Sequence, residues 1–140
     1  MFLKQLSIFV ENKPGRLEAI IDTLGKNDIN IRALSIADTT DFGILRLIVD
    51  DVDRAKSVLK ETGVISKRTD VVAVFLDDRS GGLAKVLSVL TAGGLNIEYM
   101  YAFLTKTEGK ALMVLKADDE QKALDVLEAN SIPTASPEDM

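Results

Sequence analysis

The stretch Asn12-Lys13-Pro14-Gly15-Arg16-Leu17 combines residue types that can receive a small anion. It lies where an alternating apolar run (Leu6, Ile8, Val10) gives way to helically spaced apolar residues (Leu17, Ile20, Ile21, Leu24). A glycine between strand and helix lets another group approach the main chain closely. The first turn of the helix offers unpaired amides and a partial positive charge, which suit a carboxylate. Asn12 and Arg16 add polar side chains beside it. The chemistry is that of a pocket for a small carboxylate. A plainer reading is that Pro14-Gly15 makes the turn and Asn12 caps the helix. The stretch lacks the Gly-Lys-Ser/Thr ending of a nucleotide phosphate loop and the G-x-G-x-x-G dinucleotide fingerprint.

A second version, Asp78-Arg79-Ser80-Gly81-Gly82-Leu83, stands at the same kind of junction. Gly15 and Gly81 are 66 positions apart (81 − 15), and the same step carries Leu17 to Leu83, Leu24 to Leu90, Asn30 to Asn96, Ile31 to Ile97 and Gly43 to Gly109. Six identities in phase argue for an internal duplication. The copies differ where Ser80 replaces the proline and where Asp78 or Arg79 replaces the asparagine.

Other residues carry weaker chemistry. Asn30-Ile31 and Asn96-Ile97 begin the second strand of each copy; the asparagines could satisfy backbone groups at a turn or hydrogen-bond a ligand. The clusters Asp50-Asp51-Val52-Asp53 and Asp118-Asp119-Glu120 could hold a hard metal ion. Both open a helix, however, where carboxylates complement the dipole. Asp77-Asp78 adjoins the second glycine junction. Tyr99 and Tyr101 share one strand face, as sheet packing or as a shelf for a ligand.

The composition excludes several classes. The 140 residues carry a net charge of −5 and no basic run, which argues against a nucleic-acid partner. There is no cysteine and no histidine. That removes disulfides, a thiolate nucleophile, the commonest general base and the commonest transition-metal ligand. Any acid–base work would fall to carboxylates or lysines, and no pair stands out, so the chain is read as a non-enzyme without a cofactor. No apolar run approaches the roughly 20 residues needed to cross a bilayer, and no signal-peptide layout opens the chain. A cytoplasmic location follows as the expectation, with no membrane partner.

Periodicity supplies the elements that must hold these residues. Residues 2–11 alternate as a strand, with Gln5 and Ser7 opposite the apolar face. The helix from Leu17 stops near Gly25 and Asn27-Asp28. Ile29–Ala37 and Gly43–Val49 form a hairpin around Asp38-Thr39-Thr40-Asp41. Asp50-Asp51 opens a helix carrying Val52, Ala55, Val58 and Leu59, which ends at Gly63, and Val64-Ile65 begins a fourth strand. The second half repeats this order. Val71–Leu76 is apolar enough to be covered on both faces. A helix follows with Leu83, Val86, Leu87 and Leu90, ending at Gly93-Gly94. Leu95–Leu104 and Lys110–Lys116 form a hairpin around Lys106-Thr107-Glu108-Gly109. Asp118 with Gln121 forms a capping box for a helix over 118–129. Pro133 and Pro137 restrict any last strand to a short edge piece. The order strand, helix, strand, strand, helix, strand is the split βαβ unit. The fold class is therefore α+β, with two ferredoxin-like βαββαβ units of antiparallel sheet. The boundary falls at about residue 69, giving units 1–69 and 70–140. Units this small are marginal alone, so they are expected to pack on each other, on a second chain, or both.

The Asn-Lys-Pro-Gly-Arg-Leu junction, the Asn30-Ile31 strand start and the Gly43 strand start resemble the ACT domain, and the likeness extends twice over nearly the whole chain. The resemblance implies a regulatory module whose units pair side by side into an eight-stranded sheet with helices on one face. It also implies an amino acid bound between units. By resemblance the ligand-binding role falls to Asn12, Pro14, Gly15, Arg16, Leu17, Asn30 and Ile31, and in the second copy to Gly81, Gly82, Leu83, Asn96 and Ile97. The implied function is a free-standing amino-acid sensor, as a homodimer. The alternative is a ligand-free adaptor that regulates a metabolic enzyme through protein contacts.

Overall fold

Leu6, Ile8 and Val10 point one way along strand β1 (Leu3–Glu11) and are buried. The computed structural model describes residues 1–38, 41–103 and 107–139. Thr39 and Thr40, expected in the first hairpin turn, and Leu104 and Lys106, expected in the second hairpin, lie outside them. Six strands and four α-helices occur among the described residues: β1, α1 (Arg16–Lys26), β2 (Ile31–Asp38), β3 (Phe42–Val49), α2 (Val52–Glu61), β4 (Ser66–Asp77), α3 (Gly82–Ala92), β5 (Ile97–Phe103), β6 (Lys110–Ala117) and α4 (Glu120–Ala129), with a single 3-10 turn at Pro137–Asp139. The architecture is α+β, and the strand pairs within each unit are antiparallel.

The chain forms two compact units, Lys4–Thr69 and Asp70–Met140 with Met1–Leu3. In the first, the strand order is β2-β3-β1. Leu45 and Leu47 of β3 sit opposite Ile8 and Leu6 of β1. Ile20 and Leu24 of α1 and Ala55 and Leu59 of α2 close over that one face. In the second, the order is β4-β6-β5. Val72, Val74 and Leu115 meet Val86 and Leu90 of α3 and Ala123 and Leu127 of α4. The stripes expected at Leu17 and Leu83 begin one turn later than their spacing implies: both leucines are more than a third exposed. The burying contacts start at Ile20 and Val86.

Four sequence expectations change. Eight strands become six. The fourth strand of the first copy and the first of the second are one continuous strand, β4, because nothing between Gly63 and Asp77 breaks an extended backbone. The last strand is reduced to a bridge between Thr134 and Val74, flanked by the Phe75 and Ala135 amides donating to the Pro133 and Ala73 carbonyls. Pro133 and Pro137 bracket it and cannot donate. Second, α4 starts later than expected. Asp119, not Asp118, is its N-cap and accepts from the Lys122 amide at 3.0 Å. Asp51 does the same for α2, accepting from Arg54. Third, Gln5 lies on the polar phase of β1 yet is fully buried, its amide donating to Ser7 Oγ at 3.2 Å.

The fourth change concerns the repeat. Ile31 faces Val49 and Ile97 faces Ala117, so the 66-residue step has become 68 (117 − 49) by the far strand of the hairpin. Asn12 donates to the Asp41 carbonyl as Asp78 donates to the Gly109 carbonyl. The counterpart of Gly109 is therefore Asp41, and the Gly43–Gly109 identity joins unequal positions. Gly43 is a strand residue opposite Val10, whereas Gly109 is a turn residue with φ +75°.

Candidate functional site

The two glycine junctions share one backbone solution. Gly15 (φ 84°) and Gly81 (φ 87°) are the N-caps of α1 and α3, both left-handed, and no side chain caps either helix. Asn12 is thus not the cap, and Pro14 sits in the turn before the helix, as expected. A Cβ at Gly15 or Gly81 would meet nothing within 4 Å. Conformation requires glycine at these positions, and the main chain there is open to a second group. Gly82 obeys a different rule: a Cβ would fall on the Asp77 carbonyl oxygen. The first unit has Arg16 at the matching position.

The asparagine pair does backbone work. The Asn30 amide donates to Asp50 Oδ1, and the Asp50 amide donates back to the Asn30 carbonyl, each at 3.1 Å. Asn96 and Asp118 repeat this at 3.1 and 3.0 Å. Each aspartate thus ties the start of one strand to the end of the next, and its neighbour caps the helix. The side chains of Asn30 and Asn96 remain exposed. Asp53 pairs with Arg68 at 2.6 Å.

Within one unit the two halves of the expected site do not meet. Asn12, Pro14, Gly15, Arg16 and Leu17 follow the end of β1 that pairs with Gly43 and Phe42. Asn30 and Ile31 lie at the Val49 end of β3. Six residue steps separate those ends, roughly 20 Å of strand. Gly81, Gly82 and Leu83 stand in the same relation to Asn96 and Ile97, across the length of β6.

The glycine end of each unit carries a cleft that sequence reasoning did not find. In the first unit it has a volume of about 600 Å³. The end of β1 supplies Phe9, Val10 and Glu11 to one wall; α1 supplies Arg16, Ala19, Ile20 and Thr23. The chain leaving α2, Thr62 to Ile65, closes it. Gly63 there has φ +82°. Phe9 is 75% exposed and Ile65 87%. Glu11 is engaged by Lys13 at 3.2 Å. The second unit builds a cleft from matching positions, including Asp77, Gly82, Lys85, Val86 and Pro133, with Ser131 (φ 56°) where the first unit has Gly63. Its volume is only about 170 Å³. Lys110 Nζ reaches Asp77 Oδ1 at 2.5 Å, and Arg79 stands 3.4 Å from the other oxygen. The hydrogen bond from Lys110 holds the Asp77 carboxyl below its usual value. The register counterpart of Lys110 in the first unit is Phe42, which faces Glu11. One sequence signal marked the first cleft: Phe9 is a large apolar residue on the polar phase of β1.

Tyr101 is buried and Tyr99 partly so, which fits sheet packing. No described helix is long and apolar enough to cross a membrane.

A family model described as an ACT domain pair matches residues 1–140. A solved protein from Bacteroides thetaiotaomicron is 42% identical, with 99% of this chain and 95% of that one covered and a TM-score of 0.93. The regulatory subunit of aspartate kinase from Thermus thermophilus, in its ligand-free form, is 18% identical, covered over 90% and 91%, at a TM-score of 0.63. That of Thermus flavus is 16% identical, covered over 90% of both chains, at 0.62. At these identities the two kinase subunits share the fold. No curated protein matches the chain.

Proposed function

This chain belongs to the ACT domain-pair family, and from that premise we propose that it is a regulatory protein that senses an amino acid where two ACT units meet. The units are residues 1–69 and 70–140, and the working form is a cytoplasmic homodimer without catalytic activity of its own. The observation that carries this reading is the pair of left-handed, side-chain-free junctions at Gly15 and Gly81. Each leaves main chain and a helix start accessible to a carboxylate. Asn30 and Ile31 are roughly 20 Å from Gly15 along the strand direction. A ligand touching both sets of residues must therefore bridge units, the glycine end of one facing the asparagine end of another. Such a ligand favours the assembled arrangement by its differential affinity for it.

Titration calorimetry against the twenty amino acids tests the proposal. One of them should bind more tightly than millimolar, which is only about −4 kcal/mol, and Gly15→Val should abolish that binding. Uniformly absent heats would end the sensor reading.

A second reading has an observation of its own. Leu34 and Ile36 of edge strand β2 are about half exposed, and an apolar sheet edge is a surface for protein contacts. On this reading the chain is a ligand-free adaptor of a metabolic enzyme. Co-purification of such an enzyme that persists in Gly15→Val would favour it.

A further inference from the structure

The cleft of the first unit shares Arg16 with the interface reading, but its other lining residues are not used there. Its residues come from one unit alone, and it lies on the flank of α1 rather than at the asparagine end. Its volume of about 600 Å³ falls within the roughly 300–1,000 Å³ of small-molecule sites. Phe9 and Ile65 leave large apolar surfaces in water at its walls, so a ligand with an apolar body would remove both from solvent. Its charges are unequal in availability. The Glu11 carboxylate is taken up by Lys13. The Arg16 guanidinium has no ion-pair partner among the described residues, and its planar fork suits a carboxylate.

The second unit is the internal control. At matching positions Lys85 replaces Ala19, Pro133 replaces Ile65 and Gly82 replaces Arg16. The last change removes the guanidinium, and the Asp77 carbonyl forbids a side chain there. The Lys110–Asp77 ion pair takes up two of its charges, and Lys85 stands where the first cleft has the small apolar Ala19. The cleft left over, about 170 Å³, is below the size of small-molecule sites.

We propose that the cleft walled by β1, α1 and the chain after α2 is a separate binding site for a small carboxylate with an apolar body, present once per chain, in the first unit only. It stands whether or not an amino acid binds at an ACT–ACT interface. The ligand's carboxylate meets Arg16 at the mouth, and its apolar body lies along Ala19 and Ile20 between Phe9 and Ile65. Thr23 and Thr62 give their hydroxyl protons to the Ala19 and Leu59 carbonyls, which leaves their oxygens as acceptors at the rim.

The test is amide-resolved NMR titration of the full chain with two probes, L-leucine and 4-methyl-2-oxopentanoate. These share a carboxylate and an apolar body but differ in the ammonium group. At least one should shift the Ala19, Thr23 and Gly63 amides and leave those of Lys85 and Ser131 in place. Shifts from leucine alone identify an amino-acid site; shifts from both identify a carboxylate site indifferent to the ammonium. Arg16→Gln should weaken the binding about tenfold or more. Ala19→Phe, at an exposed helix position, should abolish it. Asn30→Ala and Lys85→Ala should leave it unchanged. The inference is overturned if neither probe shifts the first cleft at tens of millimolar, if the shifts centre on the second unit, or if they survive Ala19→Phe. Leucine shifts confined to Gly15, Asn30 and Ile31 would overturn it too, while supporting the interface sensor.

Discussion

Asn30 and Asp50 hold each other through two hydrogen bonds of 3.1 Å, amide to carboxylate in one direction and amide to carbonyl in the other. Asn30 contributes only main chain to this pair, while Asp50 contributes a side chain. Asp50→Ala should therefore destabilise the first unit by about 0.5–1.5 kcal/mol, the net worth of one hydrogen bond. Asn30→Ala should leave stability nearly unchanged. Urea unfolding measures both. If Asn30→Ala instead lowers stability as much as Asp50→Ala, its amide side chain has a structural role that these contacts omit. If it leaves stability alone but weakens amino-acid binding, the exposed side chain serves the ligand.

Gly15→Ala and Gly81→Ala test conformation without crowding. Nothing lies within 4 Å of either new Cβ, so the cost is the left-handed backbone alone, about 1–2 kcal/mol for an L-residue. The two variants should lose similar amounts, read as equal shifts of the denaturation midpoint at constant slope. A much larger loss at one of them would mean that the junctions are not equivalent.

Gly82→Ala should be worse than Gly81→Ala, although they are neighbours. Here the added carbon meets the Asp77 carbonyl, and overpacking against main chain costs about 1–3 kcal/mol or more. The second unit must open its junction to admit it. Equal stability of the two variants would contradict the packing described for α3.

These glycines also mark what the sequence could and could not reveal. A glycine between a period-two run and a 3.6-period run is a local signal, so both junctions, their strands and their helices were legible. Capping was legible to within one residue, because adjacent aspartates share the work: one caps while the other ties two strands. The fusion of two strands into β4 was not legible, since no residue marks where one extended segment ceases to be two. Neither was the shift of the repeat from 66 to 68, because Gly109 happened to fall in phase with Gly43. The first cleft was hidden for a different reason. Phe9, Thr23 and Thr62 come from three separate segments, and only folding brings them together.

The stability of the second unit should respond to pH in two opposed ways. Burial pushes the Glu120 carboxyl above its usual value, against the pull of the Ala117 amide and Lys116. Its Oε2 is buried without a hydrogen-bond partner. The folded state thus binds this proton more tightly than the unfolded chain. Its contribution is most favourable below the unfolded value and is lost as pH rises through the higher folded one. Asp77 behaves oppositely. Its carboxyl is lowered by Lys110, so its contribution is present above the unfolded value and lost as pH falls through the folded one. Unfolding measured from about pH 3 to about pH 7 should show Glu120→Gln flattening the loss on the alkaline side and Asp77→Asn flattening the loss on the acid side. If neither variant alters its limb of the profile, these two carboxyls do not govern it.

Strand β2 makes the last prediction. Its outer edge is unpaired within the unit. Leu34 and Ile36 sit across from the buried Leu47 and Leu45 and so lie on the core-facing side of the sheet. Yet they remain 50% and 47% exposed, because the helices do not reach over this edge. A strand edge with an apolar flank pairs readily with another strand. The proposed homodimer should therefore depend on it. Leu34→Lys combined with Ile36→Lys, which leaves the core leucines in place, should convert dimer to monomer in sedimentation velocity at micromolar concentration, with far-UV circular dichroism preserved. Because the proposed sensor needs two units face to face, the same variant should also lose interface amino-acid binding. The cleft on α1, built from one unit, should keep its carboxylate. A dimer indifferent to the two lysines would remove β2 as the contact, and loss of the cleft's ligand as well would contradict its independence of the interface.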